Sequence, residues 1–213
     1  MRSPHPARPL ITGEIFTRKT LLAITLGLLS SATMAMTVGE PAPGFTLTDS
    51  NGKSHSLADF KGKTVVLEWT NAECPFVKKH YGAKNMQAQQ GQAKAANVVW
   101  LTINSGAPGK QGQVDGAGAN AIMAAQGFQS TAYLLDASGD TGRAYGAKTT
   151  PHMYVIDGEG VLRYNGAIDS IPSADPADIP NADQYVSLAL AEMAAGKPIS
   201  VSTSRPYGCS VKY

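Results

Sequence analysis

Two runs constrain this chain more than anything else in it: Thr64-Val-Val-Leu-Glu-Trp69 and Val98-Val-Trp-Leu-Thr-Ile103. Each is short, β-branched and almost wholly apolar, as a strand buried on both faces reads. Residues 70–97 lie between them and are rich in Ala, Gln and Lys, which favour helix. Strands that alternate with helices predict a layered α/β sandwich. The rest of the chain continues the alternation. Phe45–Thr48 reads as a strand followed by an Asn51-Gly52 turn, and Ala132–Leu135 as another strand. Ala119–Gln126 and Asp140–Tyr145 read as short helices. Met153–Ile156 and Val161–Tyr164 flank Asp157-Gly-Glu-Gly160, a hairpin that makes the sheet mixed. Asp183–Ala195 is a last helix, with Val186, Leu190 and Met193 on one face and Gly196 as its stop. One helix is expected from Cys74 to Ala96. Asn104–Gly118, rich in Gly, Pro and Ser, is expected to be a long loop, with Gly106–Gly118 a mobile flap near the site. A ligand site belongs outside the carboxyl ends of the strands.

Residues 1–35 stand apart. Arg2, Arg8, Arg18 and Lys19 precede the apolar run Leu21–Leu29, and Ser30-Ser-Ala-Thr-Met-Ala35 follows it. A basic region, a short apolar stretch and a small-residue exit are the parts of a secretory signal peptide. The run falls short of the roughly 20 apolar residues that a membrane-spanning helix needs. Cleavage is expected after Ala35, with residues 36–197 forming the domain, 198–213 a tail, and the product periplasmic or secreted. The formal net charge of the whole chain is +2. Four of the 18 basic and one of the 16 acidic residues lie in the leader, so the remainder carries −1. No general basic surface for nucleic acid remains, and the membrane is met only through the export signal. Two cysteines, Cys74 and Cys209, exclude a four-cysteine zinc site and arrive in an oxidising compartment.

Cys74 precedes Pro75 at a strand-to-helix junction. Unpaired N–H groups and the positive end of the helix dipole favour thiolate there. Lys78, Lys79 and His80 follow in the first turns, where basic residues oppose the dipole, a placement that suits a nearby anion; Glu73 pulls the other way. Thr150-Pro151 stands just before the strand Met153–Ile156. Asp136–Asp140 fails the spacing of a calcium loop and reads as a turn. Gly106–Gly118 lacks the Gly-Lys-Ser/Thr of a phosphate loop, and no cofactor is expected.

Taken together, these pieces resemble the thioredoxin superfamily, in its redoxin and peroxiredoxin-like branch. The matching segments are Val38-Gly-Glu-Pro-Ala-Pro-Gly-Phe-Thr-Leu47, Phe60-Lys-Gly-Lys63 with the strand after it, Cys74-Pro-Phe-Val77, Tyr154-Val-Ile-Asp157 and Tyr164-Asn-Gly-Ala-Ile-Asp169. The resemblance covers roughly residues 38–196. It implies a thioredoxin-like three-layer sandwich with a mixed central sheet, an N-terminal hairpin extension and an extended C-terminal tail. It implies a cis-proline at Pro151 facing a nucleophilic Cys74. Thr150, Pro151, His152, Trp69, Pro75 and Phe76 are then the expected substrate surface. The chain departs from the pattern in two places. Val77 stands where a Cys-x-x-Cys pair has its second cysteine, and Leu67 and Asn71 stand where a peroxiredoxin has Pro and Thr.

Cys209 is the expected substitute partner for Cys74, as a resolving thiol or as one end of a permanent staple. Such a staple adds on the order of 5 kcal/mol by chain entropy. The implied activity is thiol–disulfide exchange on a thiol- or disulfide-bearing protein or small molecule, reset by a reductant. Two alternatives accompany it. One is a thiol peroxidase. The other is a non-enzymatic stapled domain, or one binding copper through Cys74, His80 and His152, although Lys78 stands where the copper-binding spacing has a second cysteine.

Overall fold

The computed structural model describes residues 1, 2, 4 and 36–213. The leader expected at residues 1–35 thus lies almost wholly outside the described residues. The two apolar runs are adjacent central strands, β3 (Val65–Trp69) and β4 (Val99–Asn104), paired in parallel with Trp69 opposite Ile103. Every residue of both is buried.

In chain order, β1 (Thr46–Asp49) and β2 (Ser54–Ser56) form the N-terminal hairpin. After β3 come α1 (Pro75–Gly82), α2 (Asn85–Ala95), β4, α3 (Gly116–Gln126), β5 (Ala132–Leu135) and α4 (Asp140–Ala144). Then follow β6 (Thr149–Thr150), β7 (His152–Ile156), β8 (Leu162–Gly166), α5 (Tyr185–Ala194) and β9 (Cys209–Ser210). The main sheet has the order β2-β1-β5-β4-β3-β7-β8. Its centre, β5-β4-β3, is parallel, and the hairpins at both edges run antiparallel. It is the mixed, layered sheet that the strand–helix alternation predicts.

Alternation along the strands divides the core. Val65, Leu67, Trp69, Leu101, Ile103, Tyr154 and Ile156 face one side, where Phe45, Tyr145 and Ala147 cover them. Val66, Trp100, Met153 and Val155 face the other, under Val77, Tyr81, Met86, Val186 and Ala189 from α1, α2 and α5.

Two expectations are corrected. The single helix from Cys74 to Ala96 is two helices, because Lys84 takes a left-handed backbone (φ 62) and breaks the run. The flap Gly106–Gly118 is pinned rather than loose: the Asn71 side-chain amide donates to Gln111 Oε1 at 3.1 Å, and the Asn104 amide donates to Gly112 O at 2.9 Å.

Candidate active site

The register of β3 with β7 builds the site. Trp69 pairs with His152, so the carboxyl end of β3 lies beside the start of antiparallel β7. The chain leaving β3 turns through Asn71, whose carbonyl accepts from Cys74 N–H at 3.0 Å, and enters α1 with Cys74 as N-cap and Pro75 at the first helical position. The chain arriving at β7 passes Thr150-Pro151, a cis peptide bond. Cys74 and Thr150, 76 positions apart in sequence, therefore meet: the Cys74 thiol donates to Thr150 O at 3.0 Å.

The tail completes the site. β9 pairs antiparallel with β6, with Cys209 opposite Thr150. That register sets Cys209 beside the residue whose carbonyl oxygen accepts from the Cys74 thiol, close enough for each sulfur to act on the other's proton. Gly208 makes that approach possible. Its φ of +137 suits a residue without Cβ, and a Cβ there would run into the Thr150 carbonyl. The rest of the tail is docked as well. Ser204 Oγ accepts from Ala167 N–H at 2.9 Å, Val211 N–H donates to Lys148 O at 3.1 Å, and Ala107 N–H donates to Lys212 O at 2.8 Å. Tyr213 donates to Ala147 O at 2.8 Å under the Arg143 guanidinium. Cys74 is 0% exposed beneath this cover, and Cys209 is half-buried.

Burial pushes the Cys74 thiol up. Hydrogen bonds from the Cys209 thiol, from the Val77 and Cys209 N–H groups and from the Thr150 hydroxyl outweigh it and hold Cys74 below the ordinary thiol range. Cys209 is pushed up to about 11, by burial first and then by sharing its proton with Cys74 and facing its charge. One sulfur is prepared to be a thiolate and the other to keep its proton. The two cysteines are free thiols in this state.

The remaining expected site residues divide. Pro75 is exposed beside Cys74, and Phe76 is half-buried with its ring 5.7 Å from that of Tyr207 in the tail. Trp69 and His152 lie on the opposite face of the sheet from Cys74. Trp69 is enclosed by Tyr145 and Tyr154 and donates to Ser105 Oγ at 2.9 Å. His152 accepts from Lys148 N–H at 3.2 Å and binds Asn165 Oδ1 at 2.9 Å. Burial pushes its pKa down to about 4, so it is a neutral core histidine.

His80 is buried within α1. It is 0% exposed, and burial pushes it down to about 4 as well. The anion beside Lys79 is Asp169, with Nζ 3.5 Å from Oδ2, rather than the Cys74 sulfur. Among the described residues no three His, Cys, Asp or Glu side chains converge as a metal site, and His80 and His152 are on different sides of the sheet.

Glu68 passes unnoticed within the apolar run, although a carboxylate in a doubly covered strand is itself a signal. It is wholly buried on the Cys74 side of the sheet. It accepts from Trp100 Nε1 at 2.8 Å, Tyr81 Oη at 2.8 Å, Gln90 Nε2 at 3.2 Å and Thr102 Oγ1 at 3.3 Å. Burial raises its pKa against the pull of those four donors. Asp169 and Tyr207 carry no signal of their role in the sequence. Each carries an ordinary polar side chain whose partner lies far along the chain.

Known proteins share this sequence pattern and fold. The thiol-disulfide oxidoreductase ResA of Bacillus thuringiensis is 27% identical over 125 residues, which is 59% of this chain and 66%, just under two thirds, of the relative's length. The crystal structure of a hypothetical protein from Sinorhizobium meliloti 1021 superposes with a TM-score of 0.70 at 25% identity, over 84% of this chain and 96% of that one. That of a provisionally assigned thiol:disulfide interchange protein DsbE from Chlorobium tepidum, 23% identical, gives 0.50 over 62% and 85%, a likeness of fold. The model of the AhpC/TSA family matches residues 38–165, from the N-terminal hairpin through β8, and so takes in Cys74 and the cis-proline turn that faces it: the chain belongs to the AhpC/TSA family, within the thioredoxin superfamily.

Proposed function

We propose that this protein is an exported thiol–disulfide exchange protein working through Cys74 and resolved by Cys209. The domain is residues 36–197, the tail 198–213, and the compartment periplasmic or extracellular. The observation that carries the reading is the meeting of the two cysteines at one residue: the Cys74 thiol, at the N-cap of α1, lies 3.0 Å from Thr150 O, and Thr150 pairs with Cys209 across β6 and β9. The Cys74 thiolate attacks one sulfur of a substrate disulfide. A Cys74–substrate disulfide forms, and the other substrate sulfur leaves as thiolate and takes a proton. Cys209 then gives up its proton and attacks Cys74 Sγ. The second substrate thiol leaves, and the pair is left as a Cys74–Cys209 disulfide. The substrate has gained two electrons, and an outside thiol reductant returns the pair to its starting state. ResA, a relative named for this chemistry, supports the reading.

Cys74→Ser is expected to abolish reduction of a model protein disulfide. Cys209→Ser is expected to trap Cys74 in a mixed disulfide, seen as added mass that reductant removes. If Cys74→Ser reacts as fast as the native protein, the reading is wrong. Stopped-flow mixing with hydrogen peroxide tests the peroxidase alternative. A faster reaction of Cys74 with peroxide than with the disulfide would put that alternative first.

A further inference from the structure

A second buried polar cluster lies one helical turn beyond the cysteines and ties the same two pieces of chain together. Asp169, in the segment after β8, is at its centre. Its Oδ1 accepts from the Tyr207 hydroxyl in a short hydrogen bond and from Ile171 N–H at 3.2 Å. Its Oδ2 lies 3.5 Å from Lys79 Nζ and 3.8 Å from His80 Nε2. His80 Nε2 is 3.3 Å from the Tyr207 oxygen, and Asn85 Nδ2 lies 2.8 Å from His80 Nδ1 and 2.9 Å from Gln184 Oε1. The hydrogen bonds have a direction. An amide N–H can only donate, so His80 Nδ1 is the acceptor and Nε2 carries the hydrogen. Tyr207 gives its one hydrogen to Asp169 and receives from His80. The chain therefore runs Asn85 to His80 to Tyr207 to Asp169, with the Lys79 ammonium closing it.

The cluster sits where it acts on the cysteines. Phe76, Lys79 and His80 are spaced by three and four residues and so share one face of α1, whose N-cap is Cys74. Tyr207 rests on that face, with its ring against Phe76 and Lys79 Nζ 5.9 Å from the ring centroid. Two residues further on, past Gly208, comes Cys209. We propose that Tyr207, held by Asp169 and His80, is a positioning residue that sets the Cys209 sulfur against Cys74, and that Lys79–Asp169 is the anchor of this latch. The proposal rests on the exchange reading and adds to it the residues that make two distant cysteines a pair.

The test uses the full mature chain and a glutathione redox buffer. The fraction of Cys74–Cys209 disulfide gives the effective concentration of one thiol toward the other, and absorbance at 240 nm gives the Cys74 titration. Tyr207→Phe keeps the ring on Phe76 and deletes the hydroxyl. It is expected to lower the effective concentration roughly tenfold, the loss of one hydrogen bond to a charged group, and to move the Cys74 titration upward. Asp169→Asn is expected to do the same. Val186→Ala, a cavity under α5, is expected to lower overall stability and leave both readouts in place. If Tyr207→Phe matches the native protein in both readouts, or if Val186→Ala shifts them equally, the latch is wrong. If the native protein forms no Cys74–Cys209 disulfide, the exchange reading fails instead and takes the latch with it.

Discussion

Gly208 shows how much one residue decides. At φ +137, with the Thr150 carbonyl against the space where a Cβ would go, it is the point at which the tail can cross the cis-proline turn. Gly208→Ala adds backbone strain of about 1–3 kcal/mol together with a clash. The tail is expected to lift and Cys74 to be exposed, so that iodoacetamide labels Cys74 at least roughly tenfold faster, followed by mass. An unchanged labelling rate would mean that the tail is not what shields the sulfur. The two cysteines divide labour at this scale too: the donors around Cys74 favour its thiolate, while Cys209, pushed up to about 11, holds the proton that it must give up to resolve.

At the scale of elements, β3 is the strand on which the site depends. It carries the apolar pattern that made the fold legible, and it hides Glu68. Replacing Glu68 by Gln turns one acceptor oxygen into an amide N–H that faces donors. With Trp100, Tyr81, Gln90 and Thr102 all pointing at that side chain, the expected cost is about 1–3 kcal/mol in denaturant unfolding. An unchanged midpoint would show that Glu68 is already protonated and donating. Strand and helix order was readable because burial writes itself into periodicity: β5 falls at Ala132–Leu135 as the sequence predicts. Cys74 is readable because a strand-to-helix junction is local, whereas the cis-proline at Pro151 comes only through the family resemblance, since a Thr-Pro pair does not by itself fix the isomer. The resemblance groups Trp69 and His152 with them, and the structure sets both on the far face of the sheet. Alternation along a strand separates neighbours in sequence, and no motif states which face is which. Lys79 was seen to need an anion. The identity of that anion, Asp169, depends on a contact across 90 positions that periodicity cannot carry.

Acid acts on the fold through two of its buried histidines. His80 and His152 are both pushed down to about 4, against a reference near 6.5. Between those values the unfolded chain binds protons that the folded one refuses, so stability is full above about pH 6.5 and is lost as pH falls toward 4. Each histidine contributes roughly 3 kcal/mol to that loss. Thermal unfolding between pH 7 and pH 4 should show the decline, and His152→Gln should flatten it. A midpoint that stays constant to pH 4 would place these histidines in solvent. Among the described residues no helix is long and apolar enough to cross a membrane.

The cover over Cys74 has a kinetic meaning. A thiolate is chemically perishable wherever oxidants reach it, and its lifetime depends on how seldom it is met. A sulfur at 0% exposure reacts only during the brief openings of its cover. If the tail lifts about one time in a thousand, every outside reagent is slowed by about that factor. A partner that itself binds the lifted tail escapes the penalty by shifting that population. Selectivity in such a protein comes less from the reactivity of the sulfur than from who can ask for it.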